Sequence, residues 1–181
     1  MTLRLLFFGA AWAVLVSLGA CSKKSDAAPA PTGPLGMSWT IDGTAVKTTD
    51  ASSSLRSSTG SGGSDYAILS GLLLADETGV EFTLPYPFVV GTYPVPANPV
   101  TNIPVYASYF AKSIYGMSAM YRNASGSITV TGVSAIKGTG TTPPGTRVTG
   151  TFAYVATCSS SACITGSRRT VTSGYFNLIS Y

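Results

Sequence analysis

The chain has 181 residues, which suits a single domain, and a formal net charge of +4. Hydrophobic residues make up 45% and charged residues only 10%, with 20 glycines and 11 prolines, a composition typical of secreted β-rich domains. Histidine is absent, which excludes Ser-His-Asp and Cys-His catalysis and histidine-ligated metal sites. We predict no cofactor and no metal site.

Residues 1–20 have the organisation of a bacterial lipoprotein signal peptide. Arg4 precedes an uncharged apolar run over residues 5–18, which is shorter than the about 20 residues that a spanning helix needs. The following Leu-Gly-Ala-Cys, ending at Cys21, resembles the lipobox, in which the cysteine is lipidated and becomes the new amino terminus. We predict lipidation of Cys21 and stable attachment to a membrane. An ordinary signal peptide with an unrelated cysteine, or an uncleaved anchor, is the alternative.

Residues 21–36 are predicted to form the lipidated cysteine and a flexible linker, and residues 37–181 an all-β domain. The linker contains three prolines and few residues that could be buried. Ser22 differs from the aspartate that marks inner-membrane retention in enteric lipoproteins, so we predict the outer membrane, with its periplasmic or surface face left open. Basic residues are scattered along the domain, which argues against nucleic-acid binding.

The domain begins with alternating polar and apolar residues on either side of Asp42-Gly43, a strong hairpin signal. Apolar strands are predicted over residues 66–75 and 80–84. The segment 85–104 holds six prolines, so we expect it at a sheet edge or in a long ordered loop. Residues 105–121 fit both a helical and a strand period; we favour strands, because residues 123–126 (Asn-Ala-Ser-Gly) indicate a hairpin turn into the next strand.

The last third gives the clearest alternation. Val148, Gly150, Phe152, Tyr154 and Ala156 share one predicted strand face. A final strand closes the chain, with Phe176 and Leu178 pointing inward. Seven to nine short strands without a convincing helix predict a single antiparallel β-sandwich or meander barrel.

Several strand starts and turns resemble those of a family of uncharacterised envelope lipoproteins of Gram-negative bacteria. The similarity lies in residues 37–43, 91–93, 126–130, 148–152 and 172–176. It implies a β-rich, lipid-anchored domain without an established activity, and it supplies no catalytic residues.

Two cysteines, Cys158 and Cys163, flank a short Ser-Ser-Ser-Ala segment at a predicted hairpin tip. We predict a disulfide between them, because the envelope is oxidising; free thiols and a redox pair are the alternatives. Closing so short a loop would stabilise the fold by about 2 kcal/mol.

Catalytic motifs are weak. Residues 134–137 match the Ser-x-x-Lys of penicillin-recognising enzymes, but on a strand this spacing places the two side chains on opposite faces. Asp76, Glu77 and Glu81 lack the spacing of a calcium loop, and nothing in the sequence supports a carboxylate pair for glycoside hydrolysis. We predict that the protein is not an enzyme, with a hydrolase as the least favoured function.

Tyrosine is concentrated in one region of the chain. Tyrosine rings can stack on sugars or hold an extended peptide, although they can equally cover a sheet edge. The function favoured by the sequence is a lipid-anchored, non-catalytic binding module for a glycan, a peptide or an envelope protein. A purely structural or assembly subunit is the alternative. The candidate ligand contacts are Tyr86, Tyr93, Tyr106, Tyr109, Tyr115 and Tyr121.

Overall fold

The computed structural model describes residues 33–49, 53–59, 65–73, 77–97, 105–111, 119–141 and 143–181. Within these ranges the chain forms ten strands in one antiparallel sheet, and no helix there is long and apolar enough to cross a membrane. The predicted all-β antiparallel domain is confirmed, with one strand more than the upper number expected. The strands are β1 (Gly36–Ile41), β2 (Thr44–Lys47), β3 (Ser53–Thr59), β4 (Asp65–Leu73), β5 (Thr78–Pro85), β6 (Gly91–Val95), β7 (Tyr106–Ala111), β8 (Ala119–Ile136), β9 (Gly145–Cys158) and β10 (Arg168–Ser180).

The sheet curls into an open barrel. Its strands follow the order β2-β1-β10-β9-β8-β7-β5-β4-β3, and β6 pairs with β8 beside this path. The two edges approach each other, since β3 packs against β10 and Thr48 Oγ1, just after β2, lies 2.6 Å from Ser53 Oγ of β3. A single curled sheet corresponds to the barrel alternative and not to the two packed sheets of a sandwich.

The inner face carries an aromatic core. The Phe82 ring lies 5.1 Å from that of Phe152 and 5.4 Å from that of Phe176, between ring centroids. Gly150 provides space for this cluster, because a Cβ atom there would overlap the Thr129 carbonyl oxygen and the Phe176 ring. The predicted inward faces of β9 and β10 are confirmed.

The Asp42-Gly43 hairpin is also confirmed. Asp42 and Gly43 adopt φ values of 46° and 87° between β1 and β2, the left-handed region that such a tight turn requires. The Asp42 carboxylate accepts hydrogen bonds from Arg169 at 2.6 Å and from the Thr170 N–H at 3.0 Å. Burial raises the pKa of Asp42, but these two donors outweigh it and hold the pKa below the usual value.

Residues 91–95 of the proline-rich segment form strand β6, and residues 106–111 and 119–121 lie in strands, as the sequence favours for 105–121. Strand β6 pairs only with β8 among the described residues, so the predicted edge position is confirmed for this part, and residues 98–104 lie outside the description. The helical alternative for residues 105–121 is not adopted in β7 or at the start of β8.

The predicted hairpin turn at residues 123–126 is wrong. Strand β8 continues through these residues, and its register with β9 shifts between Arg122 and Ser125. The same edge of β8 pairs with β7 before the shift and with β6 after it. Gly126, at φ 155°, packs so tightly on β9 that a Cβ atom would overlap the Ala153 carbonyl oxygen. The turn-like residues therefore form a bulge at the change of partner.

Every strand pair is antiparallel, so the strands begin and end at two opposite ends of the barrel; β6 and β7 run in the same direction, because both pair with the same edge of β8. We call the end at which residues 33–36 join β1 the proximal end; it also carries the β5–β6 loop, the β8–β9 turn and the carboxyl terminus. The distal end carries the β1–β2 hairpin, the β4–β5 turn and the β9–β10 loop.

The segment before β1 is bonded to the barrel, although the sequence places the start of the domain at Met37. Asn177, which is fully buried, donates to the carbonyl oxygens of Gly33 and Pro34 at 2.7 and 2.9 Å. Arg147 donates to the Gly33 carbonyl and to the Asn177 side chain, both at 2.7 Å. The position at which the chain joins the proximal end is therefore fixed, and residues 21–32 lie outside the described residues.

Candidate functional site

The structure does not bring the predicted tyrosines together as one site. Tyr109 and Tyr121 point into the barrel, where both are buried and their ring centroids lie 5.9 Å apart. The Arg169 guanidinium covers the Tyr121 ring at 5.5 Å. These two rings pack in the core and present no surface to a ligand.

The other tyrosines lie at separate positions. Tyr86 and Tyr93 flank the β5–β6 loop at the proximal end, and the Tyr93 hydroxyl donates to the Val89 carbonyl oxygen at 2.7 Å. Tyr106 lies on the outer face of β7. Tyr115 and the predicted lipidation site, Cys21, lie outside the described residues.

The Cys158–Cys163 disulfide is confirmed. The two Cα atoms lie 6.1 Å apart, and the bridge joins the ends of a short segment in the β9–β10 loop. Cys158 is buried and Cys163 packs against the core cluster, so the bridge fixes the distal loop to the barrel.

A groove of about 340 Å³ lies on the outer face of β4, β5 and β7, towards the distal end. Its walls combine aliphatic and aromatic side chains with two carboxylates. It is lined by Ser70, Leu72, Leu73, Glu77, Thr78, Glu81 and Phe110.

A glycine in the middle strand explains the groove. The ladder places Leu72, Gly79 and Phe110 side by side on one face of three adjacent strands. A Cβ atom at Gly79 would lie 2.6 Å from Cδ2 of Leu72, so the missing side chain lets Leu72 lean over the middle strand. Leu72 is nevertheless 41% exposed, which leaves an apolar wall open to solvent.

Glu81 is held at the side of the groove by Tyr106. The Tyr106 hydroxyl donates to Glu81 Oε1 at 3.0 Å. Burial of the tyrosine, followed by the negative charge of Glu81 and this hydrogen bond, raises the pKa of Tyr106 to about 12. The tyrosine therefore stays protonated and keeps donating to the carboxylate over the whole physiological range.

The carboxylates of the groove have no cationic partner in the described parts of the chain. The one ion pair found there joins Arg169 to Asp42, neither of which lines the groove. Arg122, on the adjacent strand, acts electrostatically on the Tyr106 hydroxyl but makes no ion pair with Glu81. The groove thus combines an apolar wall with unpaired negative charge from Glu77 and Glu81.

The raised pKa of Tyr106 predicts how the stability of the fold changes at alkaline pH. In the unfolded chain a tyrosine ionises near pH 10, whereas folded Tyr106 keeps its proton up to about 12. Between these values the unfolded chain binds fewer protons, so stability falls as the pH rises. We expect Tyr106→Phe to reduce this fall, measured as the change in urea midpoint between about pH 9 and about pH 11.

Tyr181→Phe is the control, since it removes a hydroxyl from a side chain that is 68% exposed. If stability falls equally with rising pH in Tyr106→Phe and in the unmodified protein, the raised pKa of Tyr106 is not a cause of that fall and the prediction is wrong.

The groove was not predicted from the sequence. The sequence groups Glu77 and Glu81 only as acidic residues without the spacing of a calcium loop, and it places Leu72 only within a predicted apolar strand. These groove residues lie close together because β5 pairs with both β4 and β7. Strands β4 and β7 are themselves separated by more than thirty residues along the chain. Within the residues that the structure describes, no three histidine, cysteine, aspartate or glutamate side chains are placed to hold a metal ion.

Compared with protein-family models, with curated proteins and with solved structures, the chain matches none.

Proposed function

We propose that the chain is a lipid-anchored, non-catalytic binding module of the outer membrane, and that its groove takes a basic side chain from an apolar peptide or protein segment. The observation that carries the proposal is the pairing of an apolar wall, exposed Leu72 and half-buried Phe110, with carboxylates that have no cationic partner among the described residues. The resemblance to envelope lipoproteins and the lipobox-like residues before Cys21 support the anchor.

The negative charge of the groove favours a basic ligand. A lysine or arginine side chain can place its apolar stem along Leu72 while its charged end reaches Glu81 or Glu77. Tyr106 orients the Glu81 carboxylate through one oxygen and leaves the other available. Glu81 therefore acts as the fixed acceptor of the site.

A peptide suits this groove better than a glycan does. A neutral sugar gains little from two carboxylates, and it needs an exposed ring face for stacking. Two of the six predicted tyrosines, Tyr109 and Tyr121, are buried and unavailable for such contacts. A protein segment with alternating basic and apolar residues uses both properties of the groove.

Binding without chemistry is consistent with the groups present. The chain has no histidine, and the polar groups that line the groove are two carboxylates and two hydroxyls. Glu81 is engaged by Tyr106, a group that keeps its proton to about pH 12 and is therefore a poor acid near neutrality.

Glu81→Gln tests the proposal. We expect the full acylated protein, held in detergent micelles, to bind a labelled peptide of alternating lysine and leucine. The variant should bind it about fivefold more weakly, because a solvent-exposed ion pair contributes up to about 1 kcal/mol. Fluorescence anisotropy measures both affinities, and added salt should reduce the difference.

Asp65→Asn is the matched control, because it removes the same charge from an exposed residue at the proximal end. A glutamate-leucine peptide that binds as well as the lysine-leucine peptide would overturn the proposal. So would an unchanged affinity in Glu81→Gln. Absence of binding to either peptide would favour the structural or assembly role.

A further inference from the structure

Exposed apolar side chains are concentrated at the proximal end of the barrel. Among the described residues, seven large hydrophobic side chains are exposed, and five of them belong to this end. The other two, Leu72 and Ile164, lie in the groove and in the distal β9–β10 loop. The five proximal side chains are Tyr86, Val89, Val90, Val133 and Tyr181.

The register places the β5–β6 loop near the point where the chain joins the barrel. Gly36 pairs with Asn177, which pairs with Thr149 of β9. Thr149 pairs with β8 at Gly132, only two residues from the Val130 that pairs with Gly91. The loop just before Gly91 and the segment just before Gly36 therefore extend from the same end of the sheet.

The β5–β6 loop presents its apolar residues from a fixed base. Phe88 is buried and its ring meets that of Tyr86 edge-on at 5.5 Å. The Tyr86 N–H donates to the Asp65 carbonyl oxygen at 3.1 Å, and Tyr93 bonds the Val89 carbonyl. Val89 and Val90 are nevertheless 64% and 59% exposed, so this fold holds two neighbouring valines in solvent.

The position of the proposed lipid anchor indicates what covers these residues. Gly33 lies twelve positions after Cys21 in the chain, a length that spans at most roughly 40 Å. The bonds from Arg147 and Asn177 fix Gly33 at the proximal end. A membrane that holds Cys21 therefore lies within reach of the end that carries the exposed valines.

We infer that the proximal end rests on the lipid bilayer, with Val89 and Val90 in the headgroup region and the Tyr86 ring at the interface. This inference rests on the proposed anchor at Cys21. Apolar side chains and tyrosine suit that interface, and exposed Lys47 and Lys137 at the same end can meet anionic headgroups, with Asp65 as the opposing charge. The groove, towards the distal end, then faces away from the membrane.

An environment-sensitive fluorophore on a single introduced cysteine tests the orientation. Val89→Cys probes the loop, and Ile164→Cys, at a distal residue that is 79% exposed, is the matched control. Each full chain is acylated, labelled and reconstituted into vesicles of phosphatidylethanolamine and phosphatidylglycerol. At position 89 we expect a blue shift and about twofold quenching by lipid-borne nitroxides, and at position 164 neither, because interfacial contacts reach about 5–10 Å into the headgroup region.

Mass spectrometry of the same samples reports acylation independently. An acylated, vesicle-bound chain whose fluorophore at position 89 remains water-exposed would overturn the inference while leaving the anchor intact. An unacylated chain would refute the anchor, and the inference with it. A blue shift at position 89 that also occurs without vesicles would indicate contact between protein molecules and would likewise overturn the inference.

Discussion

Phe82→Ala should lower the free energy of unfolding by about 3–5 kcal/mol, the largest effect that we expect from a single core substitution. Phe82 is fully buried on the inner face of β5 and contacts both Phe152 of β9 and Phe176 of β10. Its ring therefore connects two parts of the barrel wall that are not adjacent in the sheet. Urea denaturation followed by tyrosine and tryptophan fluorescence measures the change.

Val133→Ala is the control for this substitution. Val133 is 37% exposed, so its truncation should cost about 0.5 kcal/mol or less. A loss of less than about 1 kcal/mol for Phe82→Ala would show that the barrel does not depend on this aromatic cluster.

Cys21→Ser should release the protein from membranes. Serine offers no thiol for lipid attachment, and without acyl chains the remaining contacts of the proximal end are too few for stable binding. We expect the protein to move from the membrane pellet to the soluble fraction after cell fractionation.

Ser22→Ala serves as the control, because it changes the neighbouring residue and leaves the thiol in place. Full retention of the Cys21→Ser protein in the membrane fraction would rule out lipid attachment at this residue.

The sequence was sufficient to predict the elements that depend on local patterns. Alternation identified the inward faces of β9 and β10, and Asp42-Gly43 identified the first hairpin, because both signals depend on residues close together in the chain. The short spacing of Cys158 and Cys163 likewise suggested their disulfide. These features require no knowledge of which strands are neighbours.

The features that the sequence predicted wrongly, or did not predict, depend on strand pairing. Residues 123–126 have the composition of a turn, but β9 pairs with β8 on both sides of them and extends the strand through a bulge. The sequence predicts Tyr109 and Tyr121 as candidate ligand contacts, yet the β7–β8 register directs both side chains into the barrel. The groove requires Gly79 to lie between Leu72 and Phe110, which only the order of β4, β5 and β7 determines.

The most direct test of the proposed binding role is an amide chemical-shift map of the isotope-labelled, acylated protein titrated with the lysine-leucine peptide. We predict that the shifted resonances cluster on the outer face of β4, β5 and β7, around Leu72, Glu81 and Phe110. The absence of shifts at saturating peptide, or shifts confined to the outer face of β8, β9 and β10, would contradict the groove as the binding site.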